Sequence, residues 1–468
     1  MYFRLPIAWD IAAQRFIHMN GAFLTPDPNM PPDSPEGPGS VARADYDRHV
    51  TRWNDNCVFC HNVRPNPGLD ARTGRFETSV AELGVACEAC HGPGAAHEAR
   101  NANPLRRYAL HVSRAADPTI TNPSRLSPAR SAEVCGRCHG QRITSNIARV
   151  HALGDAFIPG QVLSEQSRPL TRETTLNGEP NTFAARFWSD GTPRLTAYEF
   201  QGYLGSPCTN GAKFSCESCH SMHEGPAAGQ IRPGKEGDRA CTQCHAQYVD
   251  AAAQTAHTHH DVRGSGGRCI ACHMPPVVYG LVGVRLSHRI EVPNPSANAE
   301  QARPDACTSC HIDQTRRWAG EKMGLWPHAP AQHTSTDTLL PEVSERLLAG
   351  DPIERAIAAD ALGREGAHYA PAHRPRIVGL LADAMLEDTY PAVRAIAGRS
   401  MQALLRREHV VEAQWLDGFT ATDARETRLA VLNRLLAALG PGAHVSIDEQ
   451  QRTRLRALAA QSVIEIGE

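Results

Sequence analysis

The chain lacks most of what a conventional globular core is made from. Aromatic residues fill only 6% of its 468 positions, so a core of ordinary size needs apolar bulk from somewhere other than side chains. No apolar run approaches the ~18 residues that a membrane-spanning helix requires. Charge of one sign is also scarce. The formal net charge is −2, which supplies no basic face and argues against a nucleic-acid partner. Lysine is nearly missing: Lys213, Lys235 and Lys322 are the only ones, against 45 arginines. Residues 1–24, MYFRLPIAWDIAAQRFIHMNGAFL, lack the apolar stretch of a secretory leader, because Arg4, Asp10, Gln14 and Arg15 interrupt it. Finally, no cysteine follows Cys310, and that break in composition marks the best domain boundary.

Cysteine is what the chain does have. Fourteen of its 15 cysteines fall in seven copies of Cys-x-x-Cys-His. These are Cys57/Cys60/His61, Cys87/Cys90/His91, Cys135/Cys138/His139, Cys216/Cys219/His220, Cys241/Cys244/His245, Cys269/Cys272/His273 and Cys307/Cys310/His311. This is the attachment signature of a c-type haem. The two thiols add to the porphyrin vinyl groups and the histidine gives iron its proximal nitrogen. Positions i, i+3 and i+4 share one face of a helical turn, so all three groups reach one macrocycle. Cys-x-x-Cys pairs also build zinc ribbons, but zinc does not need a histidine after every second cysteine. The expected cofactors are therefore seven covalently attached haem c groups, each carrying iron. Porphyrins would supply the missing apolar bulk. The arginine excess fits a GC-rich coding sequence, and guanidinium forks also suit haem propionates.

The expected architecture is mainly α with much irregular loop. An N-terminal segment and proline-rich linker would occupy residues 1–45, where Phe3, Leu5, Ile7 and Trp9 alternate like a strand. A seven-haem cytochrome c domain packed around its haems would span 46–330. An α-helical repeat domain of HEAT or armadillo type would span 335–468. In that last part Arg355-Ala356-Ile357-Ala358 recurs as Arg394-Ala395-Ile396-Ala397, 39 residues later and again just after a proline. Periods near 40 residues with amphipathic helices are the mark of such repeats.

The second axial position of each iron decides between electron carriage and catalysis. Sixteen histidines lie outside the motifs, enough for every haem to take two. His97 follows a Gly-Pro-Gly turn after the second motif. His223 sits too close to His220 to reach the same iron. His257, His259 and His260 precede the sixth motif and His288 follows it. From these, His97, His223, His259, His260 and His288 are the candidate distal ligands, alongside the proximal His61, His91, His139, His220, His245, His273 and His311. His18, His49, His111, His151 and His328 are further candidates. Met19, Met222 and Met274 are thioether alternatives, more often packing residues. Cys208, the odd cysteine, reads either as a small buried thiol or as a ligand or redox-active thiol beside a haem.

The stretches CEACHGPGAAH, NPSRLSPARSAEVCGRCHGQR, CTNGAKFSCESCHSMHEG, HTHH and RPDACTSCH resemble multihaem cytochromes of the c-552/c-554 type, over about residues 50–325. Those cytochromes group with hydroxylamine oxidoreductase and pentahaem nitrite reductase, and many carry a C-terminal helical-repeat domain. The resemblance implies haems stacked in close pairs and supports His97, His223 and His288 as distal ligands. No Cys-x-x-Cys-Lys occurs, unlike the catalytic motif of pentahaem nitrite reductases. Tyr198 or Tyr203 would have to serve as the cross-linked tyrosine of a hydroxylamine oxidoreductase. Typical relatives also have more sequence before the first motif.

The expected function is electron carriage through mostly bis-histidine haems, with the helical-repeat domain docking redox protein partners or a membrane-bound quinol-oxidising complex. Assembly into an oligomer or larger cytochrome array is a further expectation. The alternative is an enzyme, a reductase of a nitrogen or sulfur oxyanion (nitrite, hydroxylamine or a tetrathionate-like species) at one open haem. Haem attachment after export places the protein in the periplasm or outside the cell, with a leader lying upstream of this start.

Overall fold

The computed structural model describes residues 1–5, 7–11, 14–19, 23–26, 51–210, 214–226, 229–279, 283–326, 340–409, 416, 418–445, 448–460 and 464. His49, His328, most of the proline-rich stretch and the expected boundary at 330–335 lie outside the described residues, as does the side chain of His18.

The motif-bearing region is assembled from short pieces. Its helices are α1 Cys87–His91, α2 Ala95–Asn101, α3 Pro104–Ser113, α4 Pro128–Gly136, α5 Ile147–Leu153, α6 Glu199–Leu204, α7 Arg239–Thr242, α8 Ala251–Thr258, α9 Cys269–His273, α10 Pro295–Glu300 and α11 Arg316–Met323. Proline opens α3, α4 and α10, where its missing N–H is one the helix could not use. Asn103 and Asn294 cap α3 and α10 through their side chains, satisfying donors of the first turn.

The strands form antiparallel pairs only. β1 Ile7–Asp10 pairs with β2 Arg15–His18, β3 Asn62–Val63 with β6 Glu82–Leu83, and β4 Leu69–Asp70 with β5 Arg75–Phe76. β7 Arg142–Ile143 pairs with β8 Arg168–Pro169, and β9 Pro276–Tyr279 with β10 Gly283–Leu286. The alternation at the N-terminus is thus a strand, with Trp9 opposite Phe16. Its apolar side chains nonetheless face outward, Trp9 being 47% and Phe16 69% exposed.

Among the described residues the regular elements of the C-terminal region are all helices: α12 Glu342–Ala349, α13 Pro352–Gly363, α14 Arg374–Glu387, α15 Pro391–Arg407, α16 Arg425–Leu439 and α17 Glu449–Ala460. α15 packs on α13 and α14, α16 packs on α14, and α17 returns to α12. Ile353, Ile357, Leu362, Leu381, Met385, Ile396, Met401 and Leu404 are almost wholly buried. In the recurring Arg-Ala-Ile-Ala, isoleucine and alanine fill this core while the first arginine ties two units together. The Arg355 guanidinium donates to the Asp388 carboxylate at 2.8 and 3.3 Å, and to the Gly350 carbonyl at 2.9 Å. Asp388 in turn accepts from the Tyr390 N–H at 2.9 Å, just ahead of α15.

The same apolar core continues into the motif-bearing region through Leu195, Tyr198, Val278 and Ile312. An Arg194–Asp351 ion pair and a 3.2 Å bond from Arg346 to the Ala302 carbonyl join the two regions. Away from that junction buried apolar side chains thin out. A second cluster gathers Ala132, Phe157, Leu163, Phe200 and Tyr203 beside the third motif.

Breaking the Arg355 pair tests the helical packing. Asp388→Ala leaves a buried guanidinium without its carboxylate, a loss of about 3–5 kcal/mol. Thermal unfolding followed by far-UV circular dichroism should show a clearly lowered midpoint. An unchanged midpoint would show that the pair holds nothing together.

Candidate haem sites

Each of the seven motifs folds as a single helical turn. The second and sixth are helices α1 and α9. In the other five the histidine N–H donates to the carbonyl of the first cysteine: His61 to Cys57 at 3.1 Å, His139 to Cys135 at 2.9 Å, His220 to Cys216 at 2.9 Å, His245 to Cys241 at 3.0 Å and His311 to Cys307 at 2.8 Å. Two sulfurs and one imidazole therefore share a face, which is the shape that one covalently held macrocycle demands.

The motif thiols are not equally enclosed. Cys87 and Cys244 are exposed, whereas the other motif cysteines are half-buried. α7 ends at Thr242, and the turn of the fifth motif that follows it is intact, with the His245 N–H on the Cys241 carbonyl.

The imidazoles are oriented from behind. Nδ1 of His91 lies 2.7 Å from the Thr121 carbonyl, Nδ1 of His220 2.8 Å from that of Gly229, and Nδ1 of His273 2.6 Å from that of Glu291. A carbonyl only accepts, so the proton resides on Nδ1 and Nε2 keeps a free lone pair for iron. His139 differs. Its Nδ1 stands 3.7 Å from Oε2 of Glu199, a carboxylate. The Glu199 carboxylate raises the His139 pKa.

Four motif histidines face a second imidazole. His223 stands 5.9 Å from His91, His288 6.1 Å from His220, His257 6.1 Å from His273 and His260 6.1 Å from His311, measured between ring centroids. Burial holds His257 and His288 below the usual histidine pKa, and the same effect lowers His311. All three therefore favour the neutral, metal-binding form.

His259 caps α8 in a left-handed conformation, with φ at 55°, and its ring packs 4.6 Å from Trp326. His97 turns Nδ1 to Asp117 at 3.2 Å. His111 is exposed on α3 and His151 half-buried on α5. Met19 is buried and Met222 exposed. Tyr198 packs on Phe187 and meets Arg186, and Tyr203 donates to the Phe214 carbonyl at 3.0 Å. Cys208 is half-buried, close enough to Cys219 to influence its thiol. His368, not singled out in the sequence, lies 5.2 Å from His311, and its N–H donates to the Cys310 carbonyl at 2.7 Å. Nothing in its sequence context signalled this, because the contact bridges 57 positions.

Hydrogen bonds tie several motifs together. Cys60 Sγ of motif one lies 4.0 Å from the Cys138 carbonyl of motif three. Ser131 of α4, which leads into motif three, donates to Glu217 inside motif four at 2.7 Å. Gln243 inside motif five donates to the Ser218 carbonyl inside motif four at 3.1 Å, and the Cys269 N–H of motif six donates to Asp238, just ahead of α7, at 2.9 Å.

A family model for the doubled CXXCH motif matches residues 206–250, and one for cytochrome c554 and c-prime matches residues 39–92. No curated protein matches the chain significantly. Among solved structures, that of the outer cell wall cytochrome OcwA is similar, with 16% identity and a TM-score of 0.41 over 93% of this chain and 81% of that one. The motifs and the two family matches make the chain a multihaem c-type cytochrome that binds haem c covalently.

Helix α6 has to pass very close to the segment holding His288. A β-carbon on Gly202 would lie 2.8 Å from the Arg289 nitrogen and 3.0 Å from the His288 carbonyl carbon. Gly202→Ala should therefore shift His288 relative to His220 and change the magnetic circular dichroism of one haem, with haem content unaltered. A spectrum identical to wild type would refute the close approach.

Proposed function

We propose that this multihaem c-type cytochrome is an electron carrier, a wire of seven haems closed mostly by histidine on both sides. The ring spacing carries the reading. Two imidazoles on opposite sides of one metal, each nitrogen about 2 Å from it, have ring centres roughly 6 Å apart. Four pairs stand at 5.9 to 6.1 Å. On this reading His223 closes the haem of Cys87/Cys90, His288 that of Cys216/Cys219, and His260 that of Cys307/Cys310. His257, rather than its neighbour His259, closes the haem of Cys269/Cys272. His97, with Nδ1 held by Asp117, offers Nε2 to a neighbouring haem in the manner of a carboxylate-oriented ligand.

The run of hydrogen bonds from motif one through three, four and five to six supports conduction along that order. The helical region is read as HEAT-like, because its identical tetrapeptides begin at the fourth residue of α13 and of α15 alike. Helical repeats mostly bind proteins, so this surface is the proposed dock for a redox partner. An exported location fits the attachment chemistry, and among the described residues no helix is long and apolar enough to cross a membrane.

The second reading, oxyanion reduction at one open haem, gains its support at motif three. There a carboxylate in place of a carbonyl stands behind the proximal histidine.

The oxidised protein is expected to be low-spin by electron paramagnetic resonance. His223→Ala, His257→Ala, His260→Ala and His288→Ala should each convert one haem to high spin, whereas His259→Ala should convert none. If His257→Ala stays wholly low-spin, the assignment at the sixth motif fails. A native high-spin signal of about one haem, on the open-position rule for haem iron, would favour the reductase.

A further inference from the structure

We infer that Glu199 is a positioning residue shared by two haem sites: its carboxylate backs His139 directly and His288 through one buried water, so that one anion acts on motifs three and four together. This rests on the ligand reading above for His139 and His288.

The geometry begins with α6, a six-residue wedge between the two motifs. Its Phe200 N–H donates to the His139 carbonyl at 2.8 Å. On the motif-three side, Gly136 and Gly140 make room for the Phe200 side chain, which a β-carbon at either position would meet within 2.5 and 2.9 Å. On the other side Gly202 lies against the backbone of His288. Glu199 is the first residue of this helix. Its Oε1 accepts from the Ala197 N–H at 3.1 Å, which fixes the carboxylate.

Oε2 is left facing two histidines. It stands 3.7 Å from Nδ1 of His139, a few tenths of an ångström beyond hydrogen-bond length. Metal binding at Nε2 strengthens the Nδ1–H donor, which draws the two together. Glu199 also lines a cavity of about 10 Å³, together with Leu195, Thr196, Tyr198, Val277 and His288. Glu199 Oε2, Thr196 Oγ1 and His288 Nδ1 are all buried without a hydrogen-bond partner among the described residues.

A cavity of this size takes one water when two to four polar groups converge on it. Donors and acceptors match. With Nε2 of His288 directed at iron, Nδ1–H donates to the water, the water donates to Glu199 Oε2, and the Thr196 hydroxyl fills a remaining position. At the three motifs backed by a carbonyl the proximal ring faces a neutral acceptor. His139 faces an anion, which makes its imidazole the stronger donor to iron and lowers the potential of that haem. Motif three also adjoins motifs one and four, so its potential bears on how electrons pass along the series.

The test uses the fully loaded protein. Glu199→Gln should leave haem content unchanged but move one haem to higher potential in an optical redox titration, and shift the low-spin resonance of one further haem. Thr196→Val should shift the second resonance alone. A high-resolution crystal structure should show a water within hydrogen-bond distance of Oε2 and His288 Nδ1, and a dry cavity would overturn the bridge. Unchanged potentials and resonances in Glu199→Gln would overturn the whole inference, provided His288→Ala turns one haem high-spin. If His288→Ala does not, the ligand reading has failed instead. Should Glu199→Gln load fewer haems, Glu199→Asp carries the test. Its carboxylate, set back by one carbon, must raise the same haem by a smaller amount, and an unshifted haem overturns the proposal.

Discussion

Two thioether bonds and one iron–nitrogen bond have to reach a rigid macrocycle from five consecutive residues, and the rest of the structure follows from that constraint. One helical turn satisfies it, and each motif is folded as one. A turn that ends at its own haem has no reason to propagate. The motif-bearing region accordingly consists of short helices, two-residue ladders and loops, each pinned by its attachment point. Apolar side chains are sparse there because the planar cofactor takes the place that leucine and phenylalanine hold in α12 to α17. The contrast between the two regions is thus a contrast in what fills the core.

The proposed second ligands add cross-bracing that the motifs alone could not provide. His223 lies just past motif four yet faces the imidazole of motif two. His288 follows motif six and faces that of motif four, while His260 precedes motif six and faces that of motif seven. Those three haems would join segments distant in sequence and so act as long-range staples. This resembles the logic of small disulfide-rich domains, where covalent links replace a hydrophobic core.

How much of this the sequence carried depended on the distance over which each feature is encoded. The motif turns were legible because five residues define them completely. The recurring Arg-Ala-Ile-Ala was legible as a pattern, and its first arginine proves to bridge to Asp388, 33 positions away. The choice within His257, His259 and His260 was not legible. It turns on where α8 stops: His257 still rides its last turn, while His259 adopts a left-handed cap and swings toward Trp326. Glu199 was invisible for a simpler reason. It meets His139 across 60 positions, and neither residue's neighbours announce the contact. The exposed Trp9 and Phe16 do lie in strands, but alternation does not say which face is covered.

The helical region bears on the seventh haem more directly than a docking module joined by a linker would. The His368 N–H holds the Cys310 carbonyl, and its own carbonyl accepts from the Ile312 N–H at 3.1 Å. Glu342 at the start of α12 receives the Arg346 guanidinium at 2.7 Å and bonds Thr308 inside the seventh motif. Asp305, which caps that motif by accepting from the Cys307 N–H at 2.8 Å, is buried beside Glu342. Burial, reinforced by the Glu342 charge, lifts the Asp305 pKa to about 6. On the proposed docking role, a partner settling on these helices would press on the framework of the seventh motif itself. Because α12 to α14 and motif seven share hydrogen bonds and an apolar core, the proposed dock and electron exit would be mechanically one site. The proposed wire would then end at the surface its partner recognises.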